Sequence, residues 1–189
     1  MKLTTEEDII ELIKNDGWMM DIIKTASILH LRDWCVCAGF VRSKIWDTVQ
    51  GYTERTELSD IDVIFFDDRF IDESKEKELE VFLNEVHEGV PWSVKNQARM
   101  HLVNQLPPYL SSSDAISKFP ETATAIGVTM DDNGNLRLIA PYGILDAVTL
   151  KLKPTPFFRS SIGLMQIYKK RLETKNWKST WPGLTVESG

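Results

Sequence analysis

Cysteine and histidine are scarce in this chain, with two of the first and three of the second. Cys35 and Cys37 lie two residues apart in an apolar run. At that spacing on a strand they cannot bridge, and with no second pair they cannot build a zinc site. They are expected to be reduced core thiols. His30, His87 and His101 share no metal-binding spacing with one another or with the cysteines, which argues against zinc. No apolar run nears the roughly 18 residues of a membrane span. The opening MKLTTEEDIIELIKND is acidic and amphipathic, unlike a secretory leader. The expectation is a cytoplasmic protein with no membrane partner. Positive charge is also short, with 22 Lys and Arg against 28 Asp and Glu and a net charge of −6. Neutralising phosphates needs a cationic surplus, so this balance argues against nucleic acid as a partner. The late cluster Lys151, Lys153, Arg159, Lys169, Lys170, Arg171, Lys175 and Lys178 reads as a solvated helix face.

What is present is the balance of an ordinary globular chain, 42% apolar and 26% charged over 189 residues, enough to bury about 70% of its unfolded surface without staples. One domain is expected over residues 1–189, with N-terminal helices to 32, a core over 33–153 and a C-terminal helix and tail over 154–189. Helical periodicity fills the first thirty residues, capped by Thr4 or Thr5 ahead of Glu6, Glu7 and Asp8. WCVCAGF (34–40) reads as a buried strand and 41–50 as a helix. The polar loop GYTERTELS (51–59) leads to DIDVIFFD, a strand with an acidic front end. A helix over 72–86, a short strand behind Pro91, helical ARMHLVN and a short helix from SSSD to Phe119 follow. TATAIGVTM and LRLIAPY flank DDNGN, a strong hairpin signal. Short helical and proline-marked stretches precede a last helix near 160–174, and the tail from Asn176 is expected to be loose. Trp34, Trp46 and Trp92 read as packing residues. Trp177 and Trp181 have no evident core to enter, and either dock back or meet a partner. The fold class is α+β with about five strands.

Asp60-Ile61-Asp62 is the sharpest chemical signal. Residues i and i+2 of a strand point the same way, so both carboxylates project from one face near its beginning. Two such carboxylates can share a hard cation, Mg²⁺ or Mn²⁺, completed by water and phosphate oxygens. The bland alternative is a turn that caps a strand. The order of elements separates this pair from haloacid-dehalogenase-like phosphatases and many glycosyltransferases, whose acids follow the apolar strand; here they precede VIFF. Upstream, a strand ending in Gly39 and a following helix offer backbone N–H groups and a helix dipole to an anion, with Arg42, Ser43 and Lys44 close by. Arg42 and Lys44 can equally be exposed helix residues.

Strand, glycine turn, helix, loop and an acid-led strand resemble the DNA polymerase β nucleotidyltransferase superfamily. GFVRSKIWD, SDIDVIFFD, PWSVKNQARMH, FPETATAIGV and APYGILD, in that order from about Trp34 to Lys153, resemble a family of bacterial nucleotidyltransferase-like proteins. The resemblance implies a nucleotidyltransferase-type mixed β-sheet flanked by helices, a Gly39-to-Ser43 turn for the β and γ phosphates, and Asp60 and Asp62 as magnesium ligands. It implies in-line attack of an acceptor hydroxyl on the α-phosphorus of a nucleoside triphosphate, releasing pyrophosphate. Ser43 would replace the usual turn serine only if the helix starts late. The third carboxylate of the superfamily should come from a following strand, but Pro91 to Gln97 holds no acid; its position falls at Ser93 or Lys95. Glu85, Glu88 or Glu121 could substitute from a neighbouring segment. Asn96, Gln97, Arg99 and His101 offer directional contacts, of which Asn96 and Arg99 are expected at the nucleotide; the alternative is that Asn96 and Gln97 satisfy buried backbone groups and His101 caps or packs. Three readings follow: nucleotidyl transfer to an unidentified acceptor, a degenerate nucleotide-binding or regulatory module, or a plain structural scaffold with no nucleotide affinity.

Overall fold

A computed structural model describes residues 2–187. In chain order the elements are α1 Glu6–Lys14, α2 Gly17–Ser27, β1 Trp34–Cys37, α3 Gly39–Gln50, β2 Ile61–Phe65, α4 Glu73–Val86, β3 Trp92–Asn96, α5 Gln97–Asn104 and α6 Ser112–Ser117. They continue with β4 Gly127–Met130, β5 Leu136–Ile139, α7 Leu145–Val148, β6 Lys151–Leu152, α8 Pro156–Arg159, α9 Ile162–Lys175, α10 Trp177–Thr180 and β7 Thr185–Val186. Thr5 caps α1 in a reciprocal capping box with Asp8, and the DDNGN turn closes the β4–β5 hairpin with Gly134 at φ 80°.

Five strands form one mixed sheet in the order β3-β2-β1-β4-β5. Only β2 and β3 run parallel; the other pairs are antiparallel. Strand alternation gives the sheet two unequal faces. Trp34, Val36, Ile61, Val63, Phe65 and Val94 point to one side, into a large core with Ile9 and Ile13 of α1, Ile22 and Ile23 of α2 and Val41 and Ile45 of α3. Cys35, Cys37 and Ile64 point to the other, into a smaller cluster with Ile116 and Ile139. Both thiols are free and buried, as expected. Asp62 has the parity of this second face and lies directly across from Cys37. The α+β class and the five-stranded sheet flanked by helices match the expectation.

The C-terminal tail is not loose. Trp177 and Trp181 are buried and pack edge-on against Trp46, with ring centroids 5.9 and 5.0 Å away. The Trp181 indole N–H donates to Asp47 at 2.8 Å, the Tyr52 hydroxyl donates to the Thr180 carbonyl, and β7 pairs with β6. The large apolar area of two tryptophans, left exposed in a loose tail, drives this docking. Among the described residues no helix is long and apolar enough to cross a membrane.

Candidate functional site

The acid pair sits where β1, α3 and β2 come together. β1 ends at Cys37, the chain reverses at Ala38, and α3 begins at Gly39. The reversal takes Ala38 to φ 56° and ψ −118°, a region that L-residues avoid and glycine tolerates. The positive φ thus falls on Ala38, one residue before the expected glycine. Strained backbone of this kind collects at functional sites. Ala38→Gly is expected to raise stability by about 1 kcal/mol, the relieved strain exceeding the extra entropy of the unfolded chain; chemical denaturation reads this directly.

A cavity of about 290 Å³ opens beside this turn. Its walls carry Gly39, Arg42 and Ser43 from α3, Asp60 from the residue before β2, Asp62 from β2, and Arg171 and Lys175 from α9. Acids and cations therefore share one small space. Burial first and the charge of Asp60 second push the Asp62 carboxyl up to about 6, which Ser93 and Arg171 partly offset. Two crowded carboxylates that resist joint ionisation suit a hard divalent cation, whose charge reverses that penalty. By this test the residues present fit Mg²⁺ or Mn²⁺. Among the described residues no group of three or more His, Cys, Asp or Glu could hold a metal.

The expected residues divide by location. Gly39, Arg42, Ser43, Asp60 and Asp62 are brought together. Ser43 is not a turn residue: α3 starts at Gly39, so Ser43 is four residues on, one helical turn away on the same face. Arg42 is buried, between the rings of Trp46 and Trp177 at 4.8 Å from each. It donates to Ser43 and Thr124 at 3.2 and 3.4 Å, and its Nε has no hydrogen-bond partner among the described residues. Burial pulls this guanidinium down to about 10. Lys44 instead pairs with Asp16 at 2.8 Å.

Asn96 and Arg99 are set apart from the pocket. Asp62 lies level with Ser93, and Asn96 lies level with Phe65, three residues or about 10 Å further along the parallel pair. There the Asn96 amide caps α5 and ties down the loop after β2, through the Asp67 amide and the Asp67 and Phe70 carbonyls. Arg99 is held by Glu76 at 2.9 and 2.7 Å. Asn96 thus satisfies backbone groups, and Arg99 pairs with a buried carboxylate. β3 carries no carboxylate opposite Asp62. Glu121 is fully buried and accepts from the Arg171 Nε at 2.8 Å. Glu85 lies on the outer side of α4 with Ser74 and Phe82. Glu57, which the sequence reading passed over, also lines the pocket from the loop before β2.

Arg171, Lys175, Trp177 and Trp181 were not foreseen at this site, although all four line it. The available signal was the i, i+4 spacing of Arg171 and Lys175 on one helix face, followed at once by two unexplained tryptophans. The mixed sheet presents two acids against a helix start. A family model described as nucleotidyltransferase matches residues 24–186, and the chain belongs to that family. A solved structure described as revealing a CCA-adding enzyme head domain is 34% identical, with a TM-score of 0.88 over 99% of this chain and 97% of that one. More distant are a CCA-adding enzyme in complex with ATP, at 12% identity, TM-score 0.53 and coverage of 95% and 43%, and the Thermotoga maritima CCA-adding enzyme complexed with tRNA, at 14%, 0.56 and 95% and 42%. These two share the fold, and the chain spans less than half their length. No curated protein matches in sequence. One of these structures is a tRNA complex, so the comparisons do not support the expected exclusion of nucleic acid.

Proposed function

We propose that the pocket binds a magnesium-complexed nucleoside triphosphate and transfers its nucleotidyl group to an acceptor hydroxyl. The observation that carries this reading is the convergence of Asp60 and Asp62 with Gly39, Arg42 and Ser43 on one cavity. Asp60 and Asp62 would hold the metal, which when bound would neutralise charge developing on the phosphates. The Gly39 N–H, free at the start of α3, and the Ser43 hydroxyl face the phosphates as donors. Arg42, fixed by Trp46 and Trp177, adds a positive wall that does not have to reorganise. The nucleoside would extend beyond a cavity of 290 Å³, which lies just below the roughly 300–1,000 Å³ usual for whole small-molecule sites.

A second reading, a nucleotide-binding module without transfer, rests on the acid-free β3, where Ser93 stands opposite Asp62. Incubating the protein with Mg²⁺, α-phosphate-labelled triphosphates and a panel of alcohols, amino sugars, proteins and RNA ends separates the two. Label passing to an acceptor with equimolar pyrophosphate establishes transfer. Saturating triphosphate binding with no label moved to any acceptor favours the module.

A further inference from the structure

We propose that Arg171 and Lys175 of α9 form a polyphosphate clamp facing the acid pair, so that the C-terminal segment supplies the cationic half of the nucleotide site. The inference rests on the nucleotide reading above and specifies which part of the nucleotide these residues take. Arg171 donates its Nε to the buried Glu121 at 2.8 Å and lies against the Trp177 ring at 5.3 Å. Those two contacts fix the plane of its guanidinium. Its terminal nitrogens have no hydrogen-bond partner among the described residues, and they belong to a side chain that is 31% exposed and lines the pocket. A guanidinium with its stem anchored and its fork open is preorganised for bidentate contact with phosphate oxygens. Glu121 thus acts as a positioning residue. Lys175, one turn further along the same face, lines the same pocket and has no ion pair or hydrogen bond among the described residues. With the buried Arg42 behind them, three cations stand against Asp60, Asp62 and Glu57.

This polarity selects the ligand. A free carboxylate or a single phosphate would engage the cations and leave the acids unsatisfied; a bare cation would do the reverse. A metal-complexed di- or triphosphate carries both signs in one ligand and satisfies both walls. The docked tail is then part of the site, because Trp177 stacks on both Arg42 and Arg171.

The test is calorimetric titration of the full chain with Mg²⁺-tripolyphosphate, which needs neither the correct base nor an acceptor. The variants are Lys175→Gln, Asp62→Asn and the double variant Arg171→Gln with Glu121→Gln, which removes the buried charge pair together and avoids stranding one partner. Loss of one charge-assisted phosphate contact corresponds to about a tenfold or greater loss of affinity. Lys175→Gln and the double variant are each expected to show it, while Mn²⁺ binding at the aspartates, read by electron paramagnetic resonance, is retained. A merely structural role for α9 would weaken both ligands together and overturn the proposal. Wild-type tripolyphosphate affinity in Lys175→Gln and the double variant, with loss in Asp62→Asn, would overturn the clamp while leaving the nucleotide site standing. If the wild type binds neither tripolyphosphate nor any triphosphate, both fall.

Discussion

Replacing Asp62 by Asn is expected to abolish nucleotidyl transfer while leaving the metal-free fold as stable as the wild type or more so. The two effects have one origin. Burial and the neighbouring charge of Asp60 raise the Asp62 carboxyl from 3.8 to about 6. The folded metal-free protein therefore holds this proton more tightly than the unfolded chain. The cost to stability sets in as the pH rises through about 4 to 6 and is complete above that range. At neutral pH it amounts to about 1–3 kcal/mol, which Asn removes. The same substitution takes away one of the two carboxylates proposed to hold the metal, and with it several kcal/mol of charge stabilisation during phosphoryl displacement, at least about a hundredfold in rate. Thermal denaturation in a chelator and turnover with Mg²⁺ measure the two sides. A variant that loses stability and activity in proportion would show Asp62 to be a structural aspartate.

Asp47→Ala carries the second large expected effect, and it acts at a distance. Asp47 is buried. It accepts from the Thr56 amide at 3.0 Å, the Thr56 hydroxyl at 2.7 Å and the Trp181 indole N–H at 2.8 Å. One carboxylate thereby fastens the loop that leads to Asp60 and the tail that buries Trp46. Removing it strands those buried donors, a loss of about 3 kcal/mol or more. Stability to urea should fall by that amount, and amide exchange over residues 51–60 should accelerate beyond the global change. Transfer should fall further than the folded fraction does, because Asp60 is no longer fixed relative to Asp62. Asp47→Asn keeps one acceptor oxygen and should recover part of each loss. Exchange in the loop that follows global unfolding alone would contradict this positioning role.

How much of this was legible in the sequence differs by element. The DIDVIFF pattern announces its own strand, because alternation places the acids and Ile64 on one face and Ile61 and Val63 on the other. The DDNGN turn and the strand-to-helix passage around Gly39 are equally local, since each is set by residues within a few positions. The destination of the tail is not local: Trp181 meets Asp47 across 134 positions, and no periodicity encodes that contact. The same limit hides Arg171 and Lys175, whose shared helix face can be read from their spacing while the cavity it turns toward cannot. Asn96 and Arg99 show how chain proximity misleads. They directly follow the strand beside the acids, yet parallel pairing carries the end of β3 away from the front of β2.

Binding of a non-hydrolysable nucleoside triphosphate to the wild-type protein, measured calorimetrically with each of the four bases in the presence and absence of Mg²⁺, tests the central claim most directly. The account predicts saturable one-to-one binding that requires the metal and disappears in Asp62→Asn. Binding that is indifferent to Mg²⁺ and to that substitution, or no binding of any of the four, would contradict a metal-nucleotide site at Asp60 and Asp62.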